Sequence, residues 1–154
     1  MILPNEPKRM TPLTMDVARE LTSRLTGSRL TTAKRREHDW AFEFGKDVGV
    51  RVSCTWRILV DGRMKFAGDD DGQQFGLPNP LDGEEEATRL LGQRSIKNLT
   101  IRPDTGDLCI VFDGGATLEF INDSSGYEGW ELHAGGLAVI ALGGGGLAVM
   151  NLPK

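Results

Sequence analysis

Residues 107–121 read Asp107-Leu108-Cys109-Ile110-Val111-Phe112-Asp113-Gly114-Gly115-Ala116-Thr117-Leu118-Glu119-Phe120-Ile121. Two short runs of strand-forming residues flank an acid–glycine–glycine turn, which predicts a β-hairpin. In the second run Leu118 and Phe120 alternate with Thr117 and Glu119, so one face is apolar and the other polar. The same pattern recurs on both sides. Trp40-Ala41-Phe42-Glu43-Phe44, Val48 to Val52 and Trp56-Arg57-Ile58-Leu59-Val60 alternate in the same way, and Asp61-Gly62 marks another hairpin. Gly129-Trp130-Glu131-Leu132-His133 is set to pair with Leu137 to Ile140 through Ala134-Gly135-Gly136, and Leu147-Ala148-Val149-Met150 follows a run of four glycines.

The chain also reads twice. Ser23-Arg24-Leu25-Thr26-Gly27 resembles Thr88-Arg89-Leu90-Leu91-Gly92, and Asp39 to Phe44 resembles Asp107 to Phe112. The match continues through Val52 with Phe120, Trp56 with Trp130, Gly62 with Gly136 and Leu77-Pro78 with Leu152-Pro153. The order is never broken, and the offset grows only in predicted turns, where insertions are tolerated. A helix opens each copy. Val17, Leu21 and Leu25 form one stripe, with capping residues at Thr11 to Thr14 and Gly27 after its end. Asp82-Gly83-Glu84-Glu85 caps the second helix, which Gly92 ends. The prediction is an α+β fold of one domain, 1–154, built from two pseudo-symmetric copies, 12–78 and 80–153. Each copy is a helix plus an antiparallel meander, and Trp56 and Trp130 are core residues.

The 154 residues carry a net charge of −4, unevenly spread. Residues 1–60 hold 11 Lys and Arg against 7 Asp and Glu, and residues 61–154 hold 7 against 15. No Lys or Arg occurs between Pro103 and Pro153, where Asp104, Asp107, Asp113, Glu119, Asp123, Glu128 and Glu131 lie. Such asymmetry marks a partner surface unless the basic half, with Arg29 and Lys34-Arg35-Arg36, lies alongside and neutralises it. A sequence pI near 5.2 and no aromatic within the basic run argue against nucleic acid, so that run reads as a charged strand edge.

Motifs for chemistry are weak. The four glycines at 143–146 lead into a strand and not a helix, so they form no phosphate loop and read as a flexible turn. Asp69-Asp70-Asp71-Gly72 lacks the alternate spacing and terminal Glu of a calcium loop. Glu84-Glu85-Glu86 complements a helix dipole. Cys54, Cys109, His38 and His133 show no zinc spacing and read as two free thiols and two polar histidines, and no nucleophile elbow supplies a partner for a Glu131–His133 pair. No cofactor or metal is expected. The amino-terminal residues lack a signal peptide's basic and apolar segments, and no apolar run is long enough for a membrane span, so a cytoplasmic protein is expected.

Tyr127-Glu128-Gly129-Trp130-Glu131-Leu132, with Phe112 to Leu118 before it and the glycine-rich Leu137 to Met150 end, resembles a set of small bacterial proteins. These share a Tyr-Glu-x-Trp pattern followed by glycines and an apolar end. Some of them are similar to the single-domain immunity proteins of bacterial toxin systems. The resemblance covers mainly residues 90–150. It implies structural roles for Tyr127, Glu128 and Trp130, and it implies no catalytic residues. The expectation is a non-enzymatic protein-binding module, of inhibitor or immunity type, with Asp113, Glu119, Asp123, Glu128 and Glu131 facing a basic protein partner. The alternatives are a homo-oligomeric module, such as a homodimer, and a carboxylate-using enzyme.

Overall fold

Alternation decides which side of each strand meets the core. In the hairpin of residues 108–121, Leu108, Ile110, Phe112, Ala116, Leu118 and Phe120 are buried, while Cys109, Val111, Thr117 and Glu119 are only half-buried. The computed structural model describes residues 6–151, and side chains from residue 14 onward. Its elements are α1 (Glu6–Leu25), β1 (Thr32–Arg35), β2 (Trp40–Glu43), β3 (Val48–Val52), β4 (Thr55–Val60), β5 (Arg63–Ala67), α2 (Gly83–Leu91), β6 (Ile96–Ile101), β7 (Leu108–Phe112), β8 (Ala116–Ile121), β9 (Trp130–Ala134), β10 (Leu137–Ala141) and β11 (Leu147–Asn151). The fold is α+β, with two antiparallel sheets and two helices.

One sheet has the order β1-β2-β3-β9-β10-β11 and the other β5-β4-β8-β7-β6. The continuous meander expected within each half is therefore split. Strands β3 and β4 are joined by only Ser53 and Cys54, yet they belong to different sheets. β3 pairs with β9, placing Val52 opposite Trp130, and β4 pairs with β8, placing Trp56 opposite Phe120. The first three strands of each half thus sit beside strands from the end of the other. Either half alone would leave one apolar sheet face without a cover, and the exchange joins both faces in one core. Aromatic rings bridge the two sheets. Phe42 meets Trp56 edge-on at 5.0 Å and Phe120 at 5.7 Å between centroids.

Each helix covers a sheet edge, and its side chains satisfy exposed strand groups. Thr22 of α1 donates from Oγ1 to the Leu99 carbonyl of β6 and accepts from the Leu99 amide, both at 3.2 Å. Glu84 of α2 accepts the Arg35 amide of β1 at 2.8 Å. Among the described residues α1 already runs from Glu6, ahead of the start expected at Thr11 to Thr14. Thr14 is consequently a buried helical residue and not a cap. For α2 the expected cap forms. Asp82 accepts from the amides of Glu84 and Glu85.

Arg35 and Arg36 of the basic run are neutralised, but not by the acidic carboxyl-terminal segment. Arg35 lies 5.4 Å over the Trp40 ring and donates to Asp71 at 2.6 Å and to Asp82 at 3.3 Å. The hydrogen bond from Arg35 holds the Asp71 carboxyl below its ordinary range. Arg36 pairs with Asp39 at 2.9 Å. The acidic residues of 103–153 must therefore find other partners or none.

Candidate functional site

Three loops meet at the sandwich end where β8 finishes and β9 begins. The longest spans residues 122–129, and it is fixed from several sides. Asn122 Nδ2 donates to the carbonyls of Thr105 and Leu142 at 3.0 and 3.1 Å, and the Asn122 backbone N–H donates to Asp107 at 2.8 Å. Ser124 Oγ accepts from the amides of Gly126 and Tyr127 at 3.1 and 2.9 Å, closing a tight local turn. At the far end, the Gly129 carbonyl accepts from the amides of both Ser53 and Cys54.

The glycine run is the hairpin turn expected between β10 and β11, and it also holds a second loop. It joins β10 to β11 as a short 3-10 turn, and it packs backbone against backbone on the acidic loop. The Gly144 amide donates to the Ser124 carbonyl at 3.0 Å, and Gly143 lies so close to Gly126 that no side chain fits between them. The absence of side chains here brings two loops into contact. The sequence signal was present in Ser124-Ser125-Gly126 and Gly143 to Gly146, two small-residue stretches in one half.

On this fixed loop Tyr127 is 83% exposed. Asp123 and Glu128 are exposed beside it, and with Ser53, Cys54, Ser124, Gly126 and Gly129 they line a shallow hollow. Asp123 accepts from Thr55 Oγ1 at 2.7 Å. Among the described residues neither Asp123 nor Glu128 has a Lys or Arg within ion-pair distance. The other three candidates lie elsewhere. Asp113 is in the β7–β8 turn, at the opposite end of its sheet. Glu119 is on the outer face of that sheet, bound to Arg57 at 2.7 Å. Glu131 is on the outer face of the other sheet, opposite Arg51. The structure therefore brings together Asp123 and Glu128 and separates Asp113, Glu119 and Glu131. Tyr127, read from sequence only as structural, belongs with the pair.

The thiols are poorly suited to chemistry. Burial, reinforced by Asp123, pushes the Cys54 thiol up to about 12, and burial, with Glu119, pushes Cys109 up to about 11. Both stay protonated at neutral pH. Alkylation by iodoacetamide at pH 8 is expected to be at least about tenfold slower for each than for an unfolded cysteine, measured by intact mass. Modification of either at the unfolded rate would refute the burial described. Above about pH 9 the unfolded chain loses these protons while the fold keeps them, so the fold weakens as pH rises towards 11–12. His133 shares the outer face with Glu131, with no ion pair between them among the described residues.

Among the described residues, no three His, Cys, Asp or Glu side chains converge on a possible metal position, and no helix is long and apolar enough to cross a membrane. No protein-family model matches the chain, and no curated protein and no solved structure is a significant match.

Proposed function

We propose that the chain is a non-enzymatic protein-binding module that holds a basic protein through the loop at residues 122–129. The observation that carries this reading is Tyr127, an almost fully exposed aromatic on a backbone fixed by Ser124 and the glycine run. A rigid aromatic loses little conformational freedom on docking and offers a large contact area, which is why such residues dominate interfaces. Asp123 and Glu128 add unpaired negative charge at its sides, which steers a cationic partner and speeds encounter. An inhibitor of immunity type, seated on a basic nuclease toxin, is the concrete form of this reading. Glu119 and Glu131, each beside an arginine, and Asp113, at the opposite end, belong outside the contact.

The test is capture by the immobilised chain from lysate of its native cell. The expected result is a protein of high pI retained at low salt and released at about 0.5 M, where screening shortens to a few ångströms. Tyr127→Ala should weaken retention by roughly tenfold or more, and Asp123→Asn with Glu128→Gln should remove its salt dependence. Retention indifferent to salt and to all three substitutions would sink the proposal.

We also infer that the halves, 12–78 and 80–153, are copies of one ancestral unit forming a single domain. The strand orders support this, because β1-β2-β3 continues into β9-β10 as β6-β7-β8 continues into β4-β5. So does the register. Trp56 lies opposite Phe120 and Trp130 opposite Val52, and Val52 and Phe120 are themselves a matched pair in the sequence. Arg29 and Ser95, just after the two helices, form an antiparallel bridge with each other, where a pseudo-twofold axis would pass. Residues 152–154, which include the closing Leu152-Pro153 match, lie outside the described residues.

A further inference from the structure

Two sheets have four edges, and three of them are blunted. β1 is covered by α2, whose Glu84 takes the Arg35 amide. β6 is covered by α1, whose Thr22 takes both groups of Leu99. β5 carries Arg63 and Lys65, both exposed, and its pairing with β4 is broken by a register shift at Ile58 and Leu59. Charge and irregularity of this kind deter another strand from adding on. β11 has none of these devices. It pairs with β10 on one side in unbroken register from Leu137↔Asn151 to Ala141↔Leu147, and among the described residues no strand pairs with its other side. Residues 137–151 contain no charged side chain at all. Val149 and Met150 are 36% and 42% exposed. In the strand pattern of the two halves, β11 is the one strand without a counterpart.

We propose that β11 is a self-association edge and that its occupant is β11 of a second copy of this chain, paired antiparallel about a twofold axis at Val149. The strand is complementary to itself in that arrangement. Val149 faces its own copy, a β-branched pair of the kind that stabilises sheets. Ala148 lies opposite Met150 of the second copy, twice, so a small residue meets a large one on the outer face. Leu147 lies opposite Asn151. No like charges are opposed, since none are present. The pairing covers the two exposed apolar side chains of β11 and satisfies its outer backbone groups, and it joins two six-stranded sheets into one of twelve. The contact is small, so dissociation is expected in the micromolar to tens-of-micromolar range, roughly.

Sedimentation velocity on the full chain, from about 1 to 200 µM, reads the result directly. The expected mass rises with concentration from 16.8 kDa towards twice that value. Met150→Lys, at an exposed position, should raise the dissociation constant at least about tenfold without changing the melting temperature, because two lysines then flank the axis. Val149→Cys should form an intermolecular disulfide on mild oxidation, since paired Cα atoms of about 4.5–5.5 Å lie within disulfide reach. Wild-type chain should not cross-link, its own thiols being half-buried. A monomeric mass at every concentration overturns the proposal. So does a dimer that Met150→Lys leaves intact, or one in which Val149→Cys fails to cross-link.

Discussion

Trp130→Ala should lower the melting temperature by roughly 6–20 °C, corresponding to a loss of about 3–5 kcal/mol. The side chain is 1% exposed, so the substitution opens a large cavity between the sheets. It also removes a hydrogen bond, because Trp130 Nε1–H donates to the Gly106 carbonyl at 2.8 Å. Phenylalanine at the same position separates the two effects. It keeps most of the volume and loses only the bond, for about 1–2 kcal/mol. Trp56 supplies the comparison. It is 2% exposed, but its Nε1 has no acceptor among the described residues. The loop that would supply one in the first half, residues 36–39, is shorter than the loop at 102–107 that carries Gly106. Trp56→Phe should therefore cost less than Trp130→Phe. A Trp130→Ala melt within about a degree of wild type would contradict the packing described for both.

Gly143→Ala should part the glycine run from the candidate binding loop. A Cβ at Gly143 would lie 2.5 Å from the Gly126 Cα and 2.6 Å from its nitrogen. Both are backbone atoms, so neither can swing aside and the loops must part. Overpacking of this kind costs about 1–3 kcal/mol, or roughly 2–12 °C in melting temperature. The amides of Gly126 and Tyr127 should exchange with deuterium faster as their turn loosens. Gly126→Ala is the matched control. A Cβ on Gly126 itself meets nothing within 4 Å, so its melt should stay within about one degree of wild type. Equal melts for the two variants would show that the glycine run does not hold the loop.

Much of the architecture is legible in the residues. Alternation locates β2, β3, β4, β7, β8, β9 and β10, and short turns at Asp61-Gly62 and Gly135-Gly136 join the hairpins as expected. Strand partnership is not legible. Alternation states which face of a strand is apolar, and it says nothing about which strand lies beside it, so the exchange between halves goes unseen. β1 and β6 are obscured by polar residues such as Lys34, Arg35, Lys97 and Asn98, which sit on edges that the helices cover. The acidic residues are legible as a composition but not as a surface. Val50 with Leu132 and Leu118 with Ile110 are predictably inward, yet only the pairing reveals that Glu119 meets Arg57 and that Glu131 sits opposite Arg51. What remains unpaired at Asp123 and Glu128 emerges from subtraction that one sequence does not allow.

The exchange of strands has a consequence for how the chain is born. During synthesis β4 emerges with only β5 beside it, and its inner neighbour β8 is made some sixty residues later. β3 waits longer still for β9. Until then Val50, Val52, Trp56 and Ile58 have no lasting cover. A topology dominated by such distant pairings folds slowly, because loop closure must come before the contacts that reward it. The amino-terminal half therefore stays unfinished on the ribosome until the carboxyl-terminal strands arrive, and it is in this interval that the chain is most open to aggregation and to chaperone capture.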